Sequence, residues 1–266
     1  MNKYLHFEGK KWSYEISGNE NAIPVFLLHG FCESSELWRH FVSMLDSSYC
    51  IVCIDQPGFG QTDRVENWNF DLVANFLNHF LDHFDKKDCL LIGHSMGGYS
   101  AAAFQKLYSD RVKGICFFHS HPFADSEEKK AGRDKAARLV QNHGSEKFIR
   151  ELIHSIYSKD FISSNPEELQ TQVLESQKAS PLAVTDGLMA MKNREDLSKY
   201  FIDVQQPIQY IIGAEDKTLE PASIWKGTYL AQANLISYLS QSAHAGMIEE
   251  PMESASAINQ FLEYCR

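Results

Sequence analysis

The sequence predicts an α/β protein: a mostly parallel central sheet flanked by helices, interrupted late by a helical insertion. Three observations carry that expectation. Short apolar runs without polar alternation, VFLLHG (25–30), CIVCID (50–55), CLLIGH (89–94) and VKGICFFHS (112–120), have the composition of strands buried on both faces, as in parallel sheets covered by helices. Helical patterns separate these runs near 35–46, 69–84 and 97–109. After Ser120 the strand rhythm stops, and it resumes at PIQYIIGAED (207–216) and NLISYLSQSAH (234–244), each followed by a helical segment.

Ahead of the first buried run, a strand over 3–7, a turn at Glu8-Gly9-Lys10 and a strand over 12–17 read as a β-hairpin. The stretch 122–203 is charged and helical in pattern, with no convincing buried strand. The expected organisation is therefore one core, residues 1–121 and 204–266, carrying a helical cap insertion over 122–203. Such an insertion should cover the carboxyl ends of the strands, where open parallel sheets bind ligands. With 266 residues the chain can bury a sizeable core without disulfide or metal staples.

Composition removes several function classes. The net charge of −10 is spread along the chain, and an acidic surface repels phosphate backbones, so nucleic acid is not an expected partner. The N-terminus lacks the apolar stretch of a signal peptide, and no apolar run approaches the ~18 residues a membrane span requires. Four of six cysteines, Cys50, Cys53, Cys89 and Cys116, sit in apolar strand-like runs; buried free thiols fit a reducing, cytoplasmic setting. Cys50 and Cys53 have CxxC spacing, but positions three apart in a strand face opposite sides, which argues against a redox or zinc pair. His119 and His121 share one face at a strand end without a third ligand nearby in sequence. No metal and no cofactor are expected, the partner is a small-molecule substrate, and oligomeric state is not encoded in any feature of the sequence.

The segment with the most chemistry is Gly93-His94-Ser95-Met96-Gly97, a G-x-S-x-G turn between an apolar strand and an alanine-rich helical pattern. A serine pushed out of so sharp a turn needs strained backbone. Side chains two positions before and after it would strike the neighbouring strand and helix, hence glycine at both. Gly98 and the alanines at 101–103 let the helix lie close on the sheet. Ser95 is thereby displayed for attack.

With these residues the chain resembles the α/β-hydrolase superfamily over nearly its whole length outside the insertion. The resemblance implies the α/β-hydrolase fold and the chain order nucleophile, acid, histidine. Asp216 in IIGAEDKTLEP resembles the acid loop, with Gly213 turning the chain and Pro221 starting the next helix; the adjoining Glu215 and a neighbouring strand end are alternatives. His244 in QSAHAGMIEEP resembles the histidine loop. Serine is a poor nucleophile until a base takes its proton, which a neutral imidazole can do near pH 7. A carboxylate fixes that imidazole's tautomer and stabilises its cation. His29-Gly30-Phe31 resembles the oxyanion loop, implying the backbone N–H groups of Phe31 and Met96 as donors. Asp55-Gln56-Pro57-Gly58-Phe59-Gly60 resembles a loop that is structural in the family, and His94 is expected to pack or hydrogen-bond within the turn.

Serine at the nucleophile position disfavours the dehalogenase and epoxide hydrolase branches, which use aspartate there. The expected function is hydrolysis of a small ester by a Ser-His-Asp triad. A carbon–carbon bond hydrolase or lyase of the same fold is one alternative, and a slow-turnover, receptor-like ligand binder is another. Substrate-binding candidates are Phe31, Tyr157 and Met189. The run EEKK (127–130) and Arg133 read as a solvated helix face, with a carboxylate anchor as the alternative reading of Arg133.

Overall fold

A computed structural model describes residues 2–231 and 234–266. Met1, Gln232 and Ala233, all within the stretch expected as core, lie outside the described residues. The hairpin forms as β1 (Lys3–Phe7) and β2 (Lys10–Gly18), followed by β3 (Pro24–Leu28), β4 (Cys50–Ile54), β5 (Cys89–His94), β6 (Val112–Phe118), β7 (Ile208–Gly213) and β8 (Asn234–Leu239). They make one sheet in the order β1-β2-β4-β3-β5-β6-β7-β8. The pairs β1–β2 and β2–β4 are antiparallel, and every pairing from β4 across to β8 is parallel.

Burial explains the unalternated strands. All residues of β3, β4 and β5 are buried, because helices cover both faces. On one face α1 (Phe70–His83) sets Phe80 against Tyr14 and Phe26, and α2 (Met96–Leu107) packs beside it. On the other face, α11 (Pro251–Tyr264) brings Phe261 onto β6, where a Cβ at Gly114 would lie 2.9 Å from its ring. Phe117 and Phe118 divide accordingly: Phe117 stacks on Tyr210 on the Phe26 face, and Phe118 meets Trp38 and Phe41 on the other.

The helix expected over 35–46 is instead two short 3-10 turns, Ser35–Trp38 and Phe41–Met44. Trp38 and Phe41 are three apart and both buried, with ring centroids 5.8 Å apart. Trp38 closes the first turn and Phe41 opens the second, a spacing that puts both side chains on one side as it would in an α-helix. The Ser35 N–H also donates to the Asp55 carboxylate at 2.7 Å, pinning the first turn to the end of β4.

Between β6 and β7 run α3 (Glu127–His143), α4 (Glu146–Ser155), α5 (Lys159–Ser164), α6 (Pro166–Ser176), α7 (Pro181–Asn193) and α8 (Ser198–Phe201). Their starts follow local chemistry: Ser126, Ser158 and Ser180 accept from the N–H three residues on, and Pro166 and Pro181 open α6 and α7. Val140, Ile149, Val173 and Val184 are buried within this layer. The chain returns through β7 to α9 (Pro221–Gly227), β8, α10 (Gly246–Glu249) and α11.

Candidate active site

Ser95 stands between β5 and α2 with φ 49°, a left-handed conformation that costs a non-glycine residue free energy and persists only when its surroundings hold it. Its N–H donates to Phe118 O at 2.9 Å, and the Ser120 hydroxyl donates to its carbonyl at 2.7 Å. A Cβ at Gly97 would fall 2.1 Å from Leu28 O, and one at Gly93 would fall 2.5 Å from the Gly97 backbone. These neighbours are main chain and cannot swing aside. Gly97→Ala is therefore expected to lose about 3 kcal/mol of stability or more in urea unfolding. Gly132→Ala on α3, where a Cβ meets nothing within 4 Å, is the control and should be neutral or stabilising by about 0.5–1 kcal/mol. Equal midpoints for the two variants would contradict this account of the turn.

The structure brings three sequence-predicted residues together at the carboxyl ends of the strands. The Ser95 hydroxyl lies 2.8 Å from His244 Nε2, and His244 Nδ1 lies 2.6 Å from Asp216 Oδ2. The other Asp216 oxygen accepts from the N–H groups of Thr218 and Leu219, both at 2.9 Å. Burial alone would raise the Asp216 pKa, but the facing His244, together with His119 and the loop N–H groups, holds it below the usual carboxylate range. Glu215, the neighbouring candidate acid, is exposed to solvent.

Three further buried histidines surround this trio, and their partners fix their protonation. His29 faces Gly30 O through Nδ1 and accepts from Gln56 N–H through Nε2, so it is neutral. His119 accepts from Gly246 N–H at Nε2, which places its proton on Nδ1, 3.8 Å from Asp216 Oδ2. Burial pushes its pKa well down despite Asp216. His94 differs. Its Nδ1 faces Glu33 Oε2 at 2.9 Å and its Nε2 faces His244 O at 2.8 Å; both partners are acceptors, so both nitrogens donate and the ring is a cation. Burial opposes that charge, yet the Glu33 carboxylate outweighs it and raises the His94 pKa. The Glu33 side chain is buried too, and His94 with the Gly30 N–H lowers its pKa against the same penalty. A Cβ on Gly30 would sit 2.5 Å from Glu33 Oε2, so glycine there keeps room for the pair. The sequence places His94 in the turn, whereas Glu33 carries no signal beyond its place three residues after Gly30.

No acceptor among the described residues takes the N–H of Phe31 or Met96. Asp55 accepts from Ser35 and Gln61 N–H and closes on Gly60, where a Cβ would meet its carboxylate, tying loops together away from Ser95. A cavity of about 340 Å³ opens over Ser95 and His244. Phe31, Phe148, Leu152, Ile156, Leu188 and Met191 form its apolar wall, and Tyr99, Thr218, Lys129 and Arg133 add polar groups.

Two expected pocket residues lie elsewhere. Met189 lines a separate cavity of about 250 Å³ beside Trp68 and Asn193, because successive residues of α7 point about 100° apart and Leu188 and Met191 take the face toward Ser95. Tyr157 is buried and stacked on Phe161, with centroids 4.9 Å apart, and is not among the residues lining the Ser95 cavity.

Residues 23–251 match the family model described as alpha/beta hydrolase fold. The chain belongs to that family. As an alpha/beta hydrolase it is 23% identical over 289 residues to human Monoacylglycerol lipase ABHD6, covering 98% of this chain and 81% of that protein. A thermophilic esterase from Thermogutta terrifontis superposes with a TM-score of 0.92 at 22% identity, covering 100% of this chain and 99% of that one. The enol-lactonase from Burkholderia xenovorans LB400 superposes with a TM-score of 0.91 at 17% identity, covering 98% and 100%. In this hydrolase no helix among the described residues is long and apolar enough to cross a membrane.

Proposed function

We propose that this hydrolase cleaves small carboxylic esters through Ser95 as nucleophile, His244 as base and Asp216 as the group that orients and stabilises His244. The observation that supports this most is the continuous hydrogen-bonded line Ser95–His244–Asp216 at 2.8 and 2.6 Å, opening into a mostly apolar cavity. In acylation His244 Nε2 takes the hydroxyl proton as Ser95 Oγ attacks the ester carbonyl, and the unpaired N–H groups of Phe31 and Met96 serve as oxyanion donors. His244 then protonates the departing alkoxide. Water repeats the sequence on the acyl-enzyme, releasing the acid and restoring Ser95. Ester and lipase activities among relatives lend this reading support. Residues 122–203 act in it as a cap that shapes the acyl pocket and limits water, and the buried free thiols suit a cytoplasmic site of action.

The test is covalent labelling. A fluorophosphonate probe should modify Ser95 alone, located by peptide mass spectrometry, and p-nitrophenol release from short-chain esters should stop in step with labelling. Adducts elsewhere, or equal labelling of Ser95→Ala, would remove Ser95 from the role. Silence toward esters with turnover of a vinylogous 1,5-diketone would instead favour the carbon–carbon hydrolase.

A further inference from the structure

The Ser95 cavity has an apolar wall and one charged feature that the proposed ester chemistry does not use. Lys129 and Arg133 stand four apart on α3, one turn from each other on the same helix face, and both line this cavity. Their surroundings are unequal. Arg133 donates to the buried Asp125, and so does Arg194, whose guanidinium also lies over the Tyr99 ring at 3.9 Å. Asp125 is thus shared by two guanidinium groups. Nearby Glu127 is taken by Lys130, and Asp134 by Lys192. Among the described residues no carboxylate pairs with the Lys129 ammonium, which sits at the cavity rim as an exposed residue. With Asp125 counted against Arg133, Arg194 and Lys129, the corner carries a surplus of two positive charges, in a chain whose net charge is −10. Glu33, also on the cavity wall, does not offset it, because its charge is matched by the His94 cation.

We propose that Lys129 binds an anionic group on the substrate, and that the ester cleaved at Ser95 carries a carboxylate remote from the scissile bond. This rests on the esterase reading above. An apolar segment of such a substrate lies along Phe148, Leu152 and Met191 while its charged end reaches the rim, where the unpaired ammonium supplies a charge-assisted hydrogen bond. Desolvation of the ammonium against the cavity wall, with Arg133 and Arg194 adding to it and Asp125 opposing, holds the Lys129 pKa below the ordinary lysine range; a bound carboxylate would relieve that repulsion. Arg133 contributes field rather than contact, since its guanidinium is committed to Asp125.

Matched substrate pairs test the assignment on both sides of the ester. On the acyl side, p-nitrophenyl hemiesters of adipic, pimelic and suberic acid are compared with the same esters ending in a primary amide. On the alcohol side, 4-acetoxybenzoate is compared with 4-acetoxybenzamide. The wild-type protein should prefer the carboxylate in at least one pair by about tenfold in kcat/KM, the scale of one charge-assisted contact, and raising the ionic strength should erode that ratio. Lys129→Met should bring the ratio to about one, and Lys129→Arg should retain most of it. Ratios near one in every pair for the wild type, or a preference that survives Lys129→Met, would overturn the proposal. Turnover that remains Ser95-dependent in those cases leaves the esterase reading intact. Turnover equal in Ser95→Ala would sink the esterase reading and, with it, the proposal.

Discussion

Ser95→Ala is expected to lower kcat/KM on a short-chain p-nitrophenyl ester by on the order of 10⁴-fold or more, with circular dichroism and thermal midpoint close to those of the parent. The size follows from the proposed role. Without Oγ no acyl-enzyme forms, and what remains is the help that oxyanion donors and substrate positioning give to direct attack by water. His244→Ala should cost a comparable factor, and the double variant little more than either alone, because base and nucleophile act as one unit. Asp216→Asn keeps the hydrogen bonds from Thr218 and Leu219 possible but favours the wrong His244 tautomer, so a loss of about 10⁴ in kcat is expected there as well. Full additivity of the Ser95 and His244 losses, or residual turnover above a tenth of the parent in Ser95→Ala, would break the assignment.

The core was legible because burial writes itself into composition. Strands β3 to β7 are covered on both faces, so their residues cannot alternate, and Val25, Leu27, Leu91 and Ile115 announce them without any neighbour being known. Ser95 was legible for a steric reason, since glycines at 93 and 97 mark a turn in which a side chain at either position would strike backbone. Asp216 and His244 could be placed after their strands, but only folding shows that Asp216, and not Glu215, points inward. What the sequence withheld depends on phase or on distant partners. Met189 and Met191 look equivalent until the phase of α7 is fixed, and the turns at 35–44 obey a three-residue spacing of Trp38 and Phe41 that also suits a helix. Lys129 within EEKK looks like any solvated charge until the strand ends bring Ser95 beneath it. Glu33 is the clearest case: its partner His94 lies 61 residues away, and nothing local marks it as buried.

That buried pair carries the second large effect. Glu33→Gln removes the counter-charge from the buried His94, which then loses a proton; the new amide can donate to the freed Nδ1 only by giving up the Gly30 N–H, and if it accepts instead it leaves Nε2 bare against His244 O. The His94 bond to His244 O ties the Ser95 turn to the backbone of the His244 loop, beside the side-chain bond between Ser95 and His244. Removing one member of a buried ion pair costs about 3–5 kcal/mol, which should appear as a large drop in the urea midpoint together with reduced ester turnover. Glu33→Gln/His94→Gln should recover part of the stability, since no unmatched charge remains. The pH dependence separates this from a packing defect. The lowered pKa of Glu33 makes its contribution complete above about 4.3, the unfolded value, and lost as pH falls through the folded value. The raised pKa of His94 makes its contribution complete below about 6.5 and lost as pH rises through the folded value. The stability gap between parent and Glu33→Gln should therefore be widest between about pH 4.3 and 6.5 and narrow on either side. A gap of constant size from pH 4 to 9 would mean that Glu33 acts by shape alone, and that His94 is neutral beside Ser95.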